Sequence, residues 1–456
     1  MGSDLAQFVI SFSFSPNVDK QHLFRVVLAL AGVFCGFFTQ DLVNQLIRTI
    51  QPYYLETIVD SHYDLANSVL TSVWSLASLV SAPLLGYYAD SHRPSVILMA
   101  CFAVMTASSV LSAFVSTYLG LVFVNGLSGA ASACFNIFQA ISLNLAPPRH
   151  RSFVVSVGGL FYGMAYVVGS QLSKKIVQHY HGDIDDAWLP TCFIAAGFSL
   201  IAGTVTCALI FFGPNMHQSG KHTAGDRARS YLTVFLNYRL WLLYLVCLVL
   251  FMSLAGLPAM VPFYITDHYH LDREQSTVIF ARIFTLVGLG LSVVSILVKP
   301  LQILLRRDSI LMTLGTVLTW APLMFCHVIP AWLFPWAMFM NAAGQTFAQA
   351  PMAALLGQHC AADQRALITG FNGLFQALAR VFTPIFTGQL YDMTASVDRI
   401  PVWVFIIGLG VLSSLLSTVY VVVEGKPGKG PIDQDGHVSD AEAPLLPPSD
   451  DSDSGK

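Results

Sequence analysis

"GPNMHQSGKHTAGDRARS", residues 213–230, is the longest polar break inside an otherwise apolar chain. It falls near the middle of the 456 residues. A bilayer-spanning helix takes about 20 mainly apolar residues, and working outward from the break gives six such segments on each side. They run at 24–47, 65–89, 95–116, 118–145, 153–175 and 188–212, then 238–265, 277–299, 309–329, 332–357, 367–391 and 401–424. Short polar punctuation such as "PPRHRS", "SHRPS" and "AADQRA" separates them. The expected fold is an all-α membrane protein, with twelve transmembrane helices in two pseudo-symmetric six-helix bundles.

Composition demands the same environment. Hydrophobic residues make up 55% of the chain and charged residues 11%, against about 25% charged in an ordinary soluble domain. So few charges cannot solvate the surface of a compact body this large. Basic residues are scattered, with no patch or arm for nucleic acid. The eight cysteines lie in or at the edge of apolar runs without metal spacing, and they read as small packing residues. The first residues, "MGSDLAQFVISFSF", hold an apolar piece too short to span and without a basic start.

Lys and Arg set the orientation. With both termini inside, basic residues favour the inner segments over the outer ones by roughly three to one. Arg48, Lys174, Lys175, Arg273 and Arg399 fall outside in this count. The expected organisation is a cytoplasmic N-terminal segment (1–23), a first bundle (24–212), a cytoplasmic linker (213–237), a second bundle (238–424) and a disordered cytoplasmic tail (425–456). The tail is rich in Pro, Gly, Ser and Asp. Either the plasma membrane or an endomembrane organelle fits.

The loop after the second span, "GYYADSHRPS", resembles the loop signature of the major facilitator superfamily, matching it in kind at Gly86, Asp90 and Arg93. Ser91 stands where the first basic residue is usual, and the second Gly is missing. Residues 357–392, "GQHCAADQRALITGFNGLFQALARVFTPIFTGQLYD", are similar to the tenth-to-eleventh span region of its drug–proton antiporter branch. "DLANSVLTSVWSLASLVSAPLLGYYAD" is similar in layout to spinster-like lipid carriers, although the acid those carriers place in span four is missing from "GLSGAASACFN". The resemblance implies that spans one, four, seven and ten line a central cavity. It also implies that Asp90 and Arg93 hold the cytoplasmic ends of the two halves together as gating residues.

Polar side chains within spans face the bundle interior or water, and helical spacing decides which share a face. Asn341, Gln345 and Gln349 fall at i, i+4, i+8, as do Asn372, Gln376 and Arg380. Asn125, Ser132, Asn136 and Gln139 mark the fourth span; Gln40, Asn44 and Arg48 make a row in the first. The expected solute-binding set is Arg380, Gln376, Asn372, Gln345, Asn341, Asn136 and Asn125. Arg380 stays protonated and costs about 2.5–3.5 kcal/mol at mid-span, so a partner must offset it. Asp41, the one carboxylate in a cavity-lining span, is the candidate for proton coupling. For each amide alone, interhelical hydrogen bonding is the competing role.

These features lead to an expected secondary transporter of a small organic solute by alternating access, coupled to protons through Asp41. Arginine without abundant membrane acids tilts the solute toward an anion or zwitterion. The alternative is a non-transporting receptor or scaffold that keeps the fold. No H-E-x-x-H cluster, Gly-rich phosphate loop or nucleophile elbow points to an enzyme. No metal or cofactor is expected. Beyond the solute, protons and the lipid bilayer no partner is expected, and the chain reads as a monomer.

Overall fold

The computed structural model describes residues 20–59, 63–146, 151–180, 183–214, 237–270, 273–359, 365–394 and 399–425. Among them lie twelve helical elements. The first half holds α1 (Lys20–Ile58), α2 (Tyr63–Ser91), α3 (Pro94–Ser112), α4 (Tyr118–Leu145), α5 (Arg151–His179) and α6 (Ile184–Phe211). The second holds α7 (Tyr238–Tyr269), α8 (Arg273–Leu305), α9 (Asp308–Trp320), α10 (Phe334–Gln358), α11 (Arg365–Met393) and α12 (Ile400–Gly425). A 3-10 turn, Ala321–Phe325, prolongs α9. Expectations for the tail, the linker interior and the first residues lie outside the described residues.

Ten of the twelve are long and apolar enough to cross a bilayer by length and composition. The other two are α10 and α11, the helices that carry the second half's amide rows and Arg380. Their polar side chains lower the mean hydropathy, while the apolar residues between them still form helices of 25 and 29 residues. Sequence boundaries differ most at α1, which runs on through Pro52 to Ile58. Arg48, counted from sequence with the outer segments, therefore sits inside a helix.

Packing repeats with a shift of six helices. In the first half α1 packs on α5 and α6, α3 on α4 and α6, and α2 on α4; in the second, α7 packs on α11 and α12, α9 on α10 and α12, and α8 on α10. The halves meet along two long seams, α2 against α11 and α5 against α8, which the same shift exchanges. Exposed Leu, Val, Phe and Met side chains on α3, α6, α9 and α12 form the outer surface.

Small residues make the α5–α8 seam. Gly163 faces the Gly288 backbone so closely that an added Cβ would overlap its carbonyl oxygen. Ser292 Oγ donates to the Leu160 carbonyl at 3.0 Å, and Gln171 Nε2 donates to Thr285 Oγ1 at 2.8 Å. On the α2–α11 seam Ser72 Oγ donates to the Val381 carbonyl at 3.0 Å. Without a hydrophobic drive between helices in lipid, such close backbone approach supplies the attraction.

The fourth element is broken at Ala133 into Tyr118–Ser132 and Cys134–Leu145. Beyond the break Asn136 N–H bonds the Ala133 carbonyl, which leaves the Ser132 carbonyl to another donor. Gln40 of α1 supplies it, its Nε2 donating to Ser132 O at 2.8 Å, while Cys134 Sγ–H points to Gln40 Oε1 at 3.2 Å. Irregular backbone survives at membrane depth only with such partners.

Two outcomes test this packing by thermal unfolding of the detergent-purified protein. Gly163→Ala should destabilise by about 1–3 kcal/mol through overpacking, whereas Gly159→Ala, facing only the Ser295 hydroxyl, should cost little. Gln40→Leu should orphan the Ser132 carbonyl and cost about 1–3 kcal/mol; an unchanged melting point would show that the break needs no side-chain partner.

Candidate functional site

The α1 row and the α11 row meet between the halves. On α1, Asp41 and Arg48 are seven residues apart, so they share a face at a separation of about 10 Å. Tyr162 and Tyr166 of α5 share a hydrogen bond of 2.9 Å between their hydroxyls. Arg380 of α11 lies within electrostatic reach of Asp41, Arg48 and both tyrosines. Two guanidinium groups and one carboxylate, drawn from both halves, therefore share one region of net positive charge.

Neither arginine is paired within the described part of the chain. Among the described residues, Asp41, Arg48 and Arg380 make no ion pair or side-chain hydrogen bond, and one Asp41 carboxylate oxygen is buried without a hydrogen-bond partner. Each guanidinium instead lies over an aromatic face. Arg48 is 4.0 Å from the Trp74 ring centroid and Arg380 is 5.0 Å from that of Phe251. A cation–π contact offsets part of the cost of a desolvated charge, about 2 kcal/mol at best, and leaves the N–H donors free.

The expected amides divide by environment. Gln376 is buried beside the Cys247 thiol of α7 and within hydrogen-bonding reach of it. Asn372 is buried with its Oδ1 unpartnered. Gln345 is half-buried on α10, and Gln349 beyond it has an unpartnered Nε2. Asn136 packs flat on Gly373 of α11, donates to the Ala133 carbonyl at 3.3 Å and accepts the Thr369 hydroxyl at its own carbonyl. Its amide is thus engaged in the contact between the halves. Asn341 donates to the Thr319 carbonyl of α9, within the second bundle. Asn125 donates to Leu121 O of its own helix at 2.9 Å and borders a small cavity next to Arg48.

At the end of the bundles nearest the linker, the halves are joined by a contact that sequence reading passed over. Arg151 at the start of α5 is buried and donates to the Gly357 carbonyl in the last turn of α10 at 3.2 Å, where a helix terminus favours a cation. Leu143, Val155, Val298, Leu311, Ala350 and Ala353 pack together at this end. Arg93 is exposed, its guanidinium 5.5 Å from the Phe211 ring centroid in its own half. The Asp90 side chain lies outside the described residues. Just beyond α10, burial pushes the His359 imidazole below its ordinary range, and its Nε2 meets the Tyr420 hydroxyl at 3.1 Å.

Of these groups, Arg48, Tyr162, Tyr166 and Trp74 were absent from the expected site. The i+4 row through Gln40, Asn44 and Arg48 was the one signal for Arg48. Nothing in the sequence sets its aromatic partner apart from other aromatics. His327, just past the 3-10 turn that prolongs α9, meets the Tyr264 hydroxyl at 3.1 Å through Nδ1, and Arg282 is exposed.

Comparison with known proteins agrees with this architecture. A protein described as "Probable transporter MCH1" from Wickerhamomyces anomalus is 27% identical over 132 residues, 28% of this chain and 26% of its own length. The matched region thus spans about a quarter of that relative. The crystal structure of the human organic anion transporter MFSD10 (TETRAN) superposes with a TM-score of 0.66 at 15% identity, covering 86% of this chain and 99% of that one. The crystal structure of a point mutant of the nucleoside transporter NupG gives 0.62 at 15% identity with the same coverage. At such identities these two structures establish likeness of fold. The family profile of the Major Facilitator Superfamily matches residues 33–384, across both halves and the break between them: the chain belongs to the Major Facilitator Superfamily and is a multi-pass membrane protein.

Proposed function

We propose that the protein is a secondary carrier that moves a small organic anion or zwitterion by alternating access, with Arg380 as its principal solute contact. The observation that carries this reading is an unpaired guanidinium between the two halves, resting on Phe251 and facing Asp41 and Arg48 across the junction. Family membership and the names of its relatives support a transporter. The solute class follows from charge. Two arginines and one aspartate leave an excess of one positive charge, which an anion neutralises, or which a zwitterion meets with its own charges against Arg380 and Asp41. An arginine fork holds a carboxylate through two charge-assisted hydrogen bonds. Gln376, Asn372 and Gln345 would bind further polar groups of the solute.

Asp41 carries the proton in this scheme. Its carboxylate is buried on the same α1 face as Arg48, and loading it with a proton would remove the internal counter-charge of both arginines just as the solute arrives. Basic residues make the linker end cytoplasmic. That end is packed shut through Arg151, Gly357 and the apolar cluster around Leu143, so the described state would be outward-facing. Rocking about the α2–α11 and α5–α8 seams would open it. Asp90 and Arg93 remain gating candidates at the same end.

Reconstituted proteoliposomes test the two roles separately. Arg380→Ala should abolish saturable solute uptake while the protein still elutes as a folded species, and Arg380→Lys, lacking the fork, should recover only part of it. Normal flux in the Ala variant would make Arg380 a brace between helices. Asp41→Asn should flatten the dependence of uptake on pH; an unchanged profile would remove Asp41 from coupling. Absence of saturable flux of any anion or zwitterion would favour the receptor or scaffold reading.

A further inference from the structure

A small polar hollow lies inside the first bundle, sharing Arg48 with the junction of the halves. It is a partly open cavity of ≈ 20 Å³ between α1, α2, α3, α4 and α6, room for about one water or one small ion. Its walls carry the Arg48 guanidinium, the indole of Trp74, the amides of Asn44, Gln51 and Asn125, and the Ser128 hydroxyl. No carboxylate lines it among the described residues. Ser108 and Ser112 also line it, and their hydroxyls donate to backbone carbonyls of α3. Trp74 is only 7% exposed and its Nε1–H is buried without a partner. Asn44 and Gln51 are equally buried, and no side-chain hydrogen bond engages them. Arg48 stacks on Trp74 and makes no ion pair among the described residues.

Water alone satisfies this wall poorly. It can accept from the indole and the amides, but it brings no negative charge to the half-buried Arg48 guanidinium, whose counter-charge among the described residues, Asp41, is about 10 Å away along α1. An anion answers both needs, because it accepts several hydrogen bonds and neutralises the guanidinium. Among the described residues the acid that acts on Arg48 is Asp41, two helical turns away along α1, and it does so only at a distance. It also faces Arg380, Tyr162 and Tyr166, so it does not serve this hollow alone.

We infer that this hollow is a small-anion site, in which a halide or a single carboxylate group accepts hydrogen bonds from the Arg48 guanidinium and the Trp74 indole N–H. The cavity's volume suits a small anion or the end group of a larger one. Its two sources are a free inorganic anion and the carboxylate end of a solute reaching in from the junction, and both use the same donors.

The test reads binding with no flux, so its outcome is independent of whether the protein carries any solute. Tryptophan emission of the purified full-length protein is followed as sodium bromide replaces sodium gluconate at constant ionic strength; bromide quenches indoles and gluconate exceeds the cavity. A saturable quenching phase is expected above the linear collisional background. Arg48→Gln should weaken the bromide phase at least about tenfold, as expected for loss of a charged hydrogen-bond donor, and Trp74→Phe should remove most of its amplitude. Sodium acetate then separates the sources. Reversal of the bromide phase by acetate would support a site open to the solute's carboxylate, and saturable quenching that acetate leaves untouched would support an inorganic anion alone. Purely linear quenching of the wild-type protein, with no rise in melting temperature in chloride or acetate over gluconate, would overturn the inference whatever the variants do. If Arg48→Gln does not fold, the wild-type titration and Trp74→Phe still decide.

Discussion

A guanidinium cannot discard its charge on entering a membrane, and the arrangement around Arg48 and Arg380 follows from that constraint. Lysine or histidine could become neutral; arginine can only be supported. In this fold the support comes from aromatic faces, Trp74 and Phe251, each supplied by a neighbouring helix of the same half. An aromatic face attracts a cation without consuming its hydrogen-bond donors. A carboxylate partner at contact distance would have satisfied each arginine more fully and left nothing to offer a ligand. Asp41 is close enough to moderate the charge and too far to cancel it.

Around that region the chain is divided between two kinds of contact. In the middle of the α5–α8 seam the halves touch through glycine, serine and backbone, around Gly163, Gly288 and Ser292. Within each half, apolar side chains lock together, as in the cluster of Phe37, Phe102 and Phe138 in the first bundle or that of Tyr264, Phe334 and Trp403 in the second. Interlocked cores resist relative motion, whereas smooth backbone seams permit it. The six-helix repeat places both seams symmetrically, so that the same distinction holds on either side of the junction.

Much of the fold was legible because hydropathy and chain length are direct consequences of the bilayer. The two halves and the helical elements within them follow from composition and spacing. The limits of sequence reading show at Arg48 and Asn341. Hydropathy ended the first span before Arg48, yet α1 continues through it because stacking on Trp74, a tertiary contact, covers the charge. Asn341 shares a helical row with Gln345, but its amide is consumed by the Thr319 carbonyl of α9. Periodicity shows which residues share a face and is silent on which neighbour that face meets. Arg151 illustrates the same limit. A basic residue after a loop ordinarily marks only membrane orientation, and its docking on Gly357 depends on where α10 ends.

The broken fourth helix has a mechanical corollary. Because Gln40 spans from α1 to the carbonyl freed at Ala133, and Cys134 returns the contact to the same amide, the lower segment of α4 is tethered to α1 at its very pivot. One Gln40 amide thus holds both sides of the break, through Ser132 of the first segment and Cys134 of the second. A change in the angle between the two segments would cost at least one of these bonds, so α4 resists bending at the point where its own backbone bonding lapses.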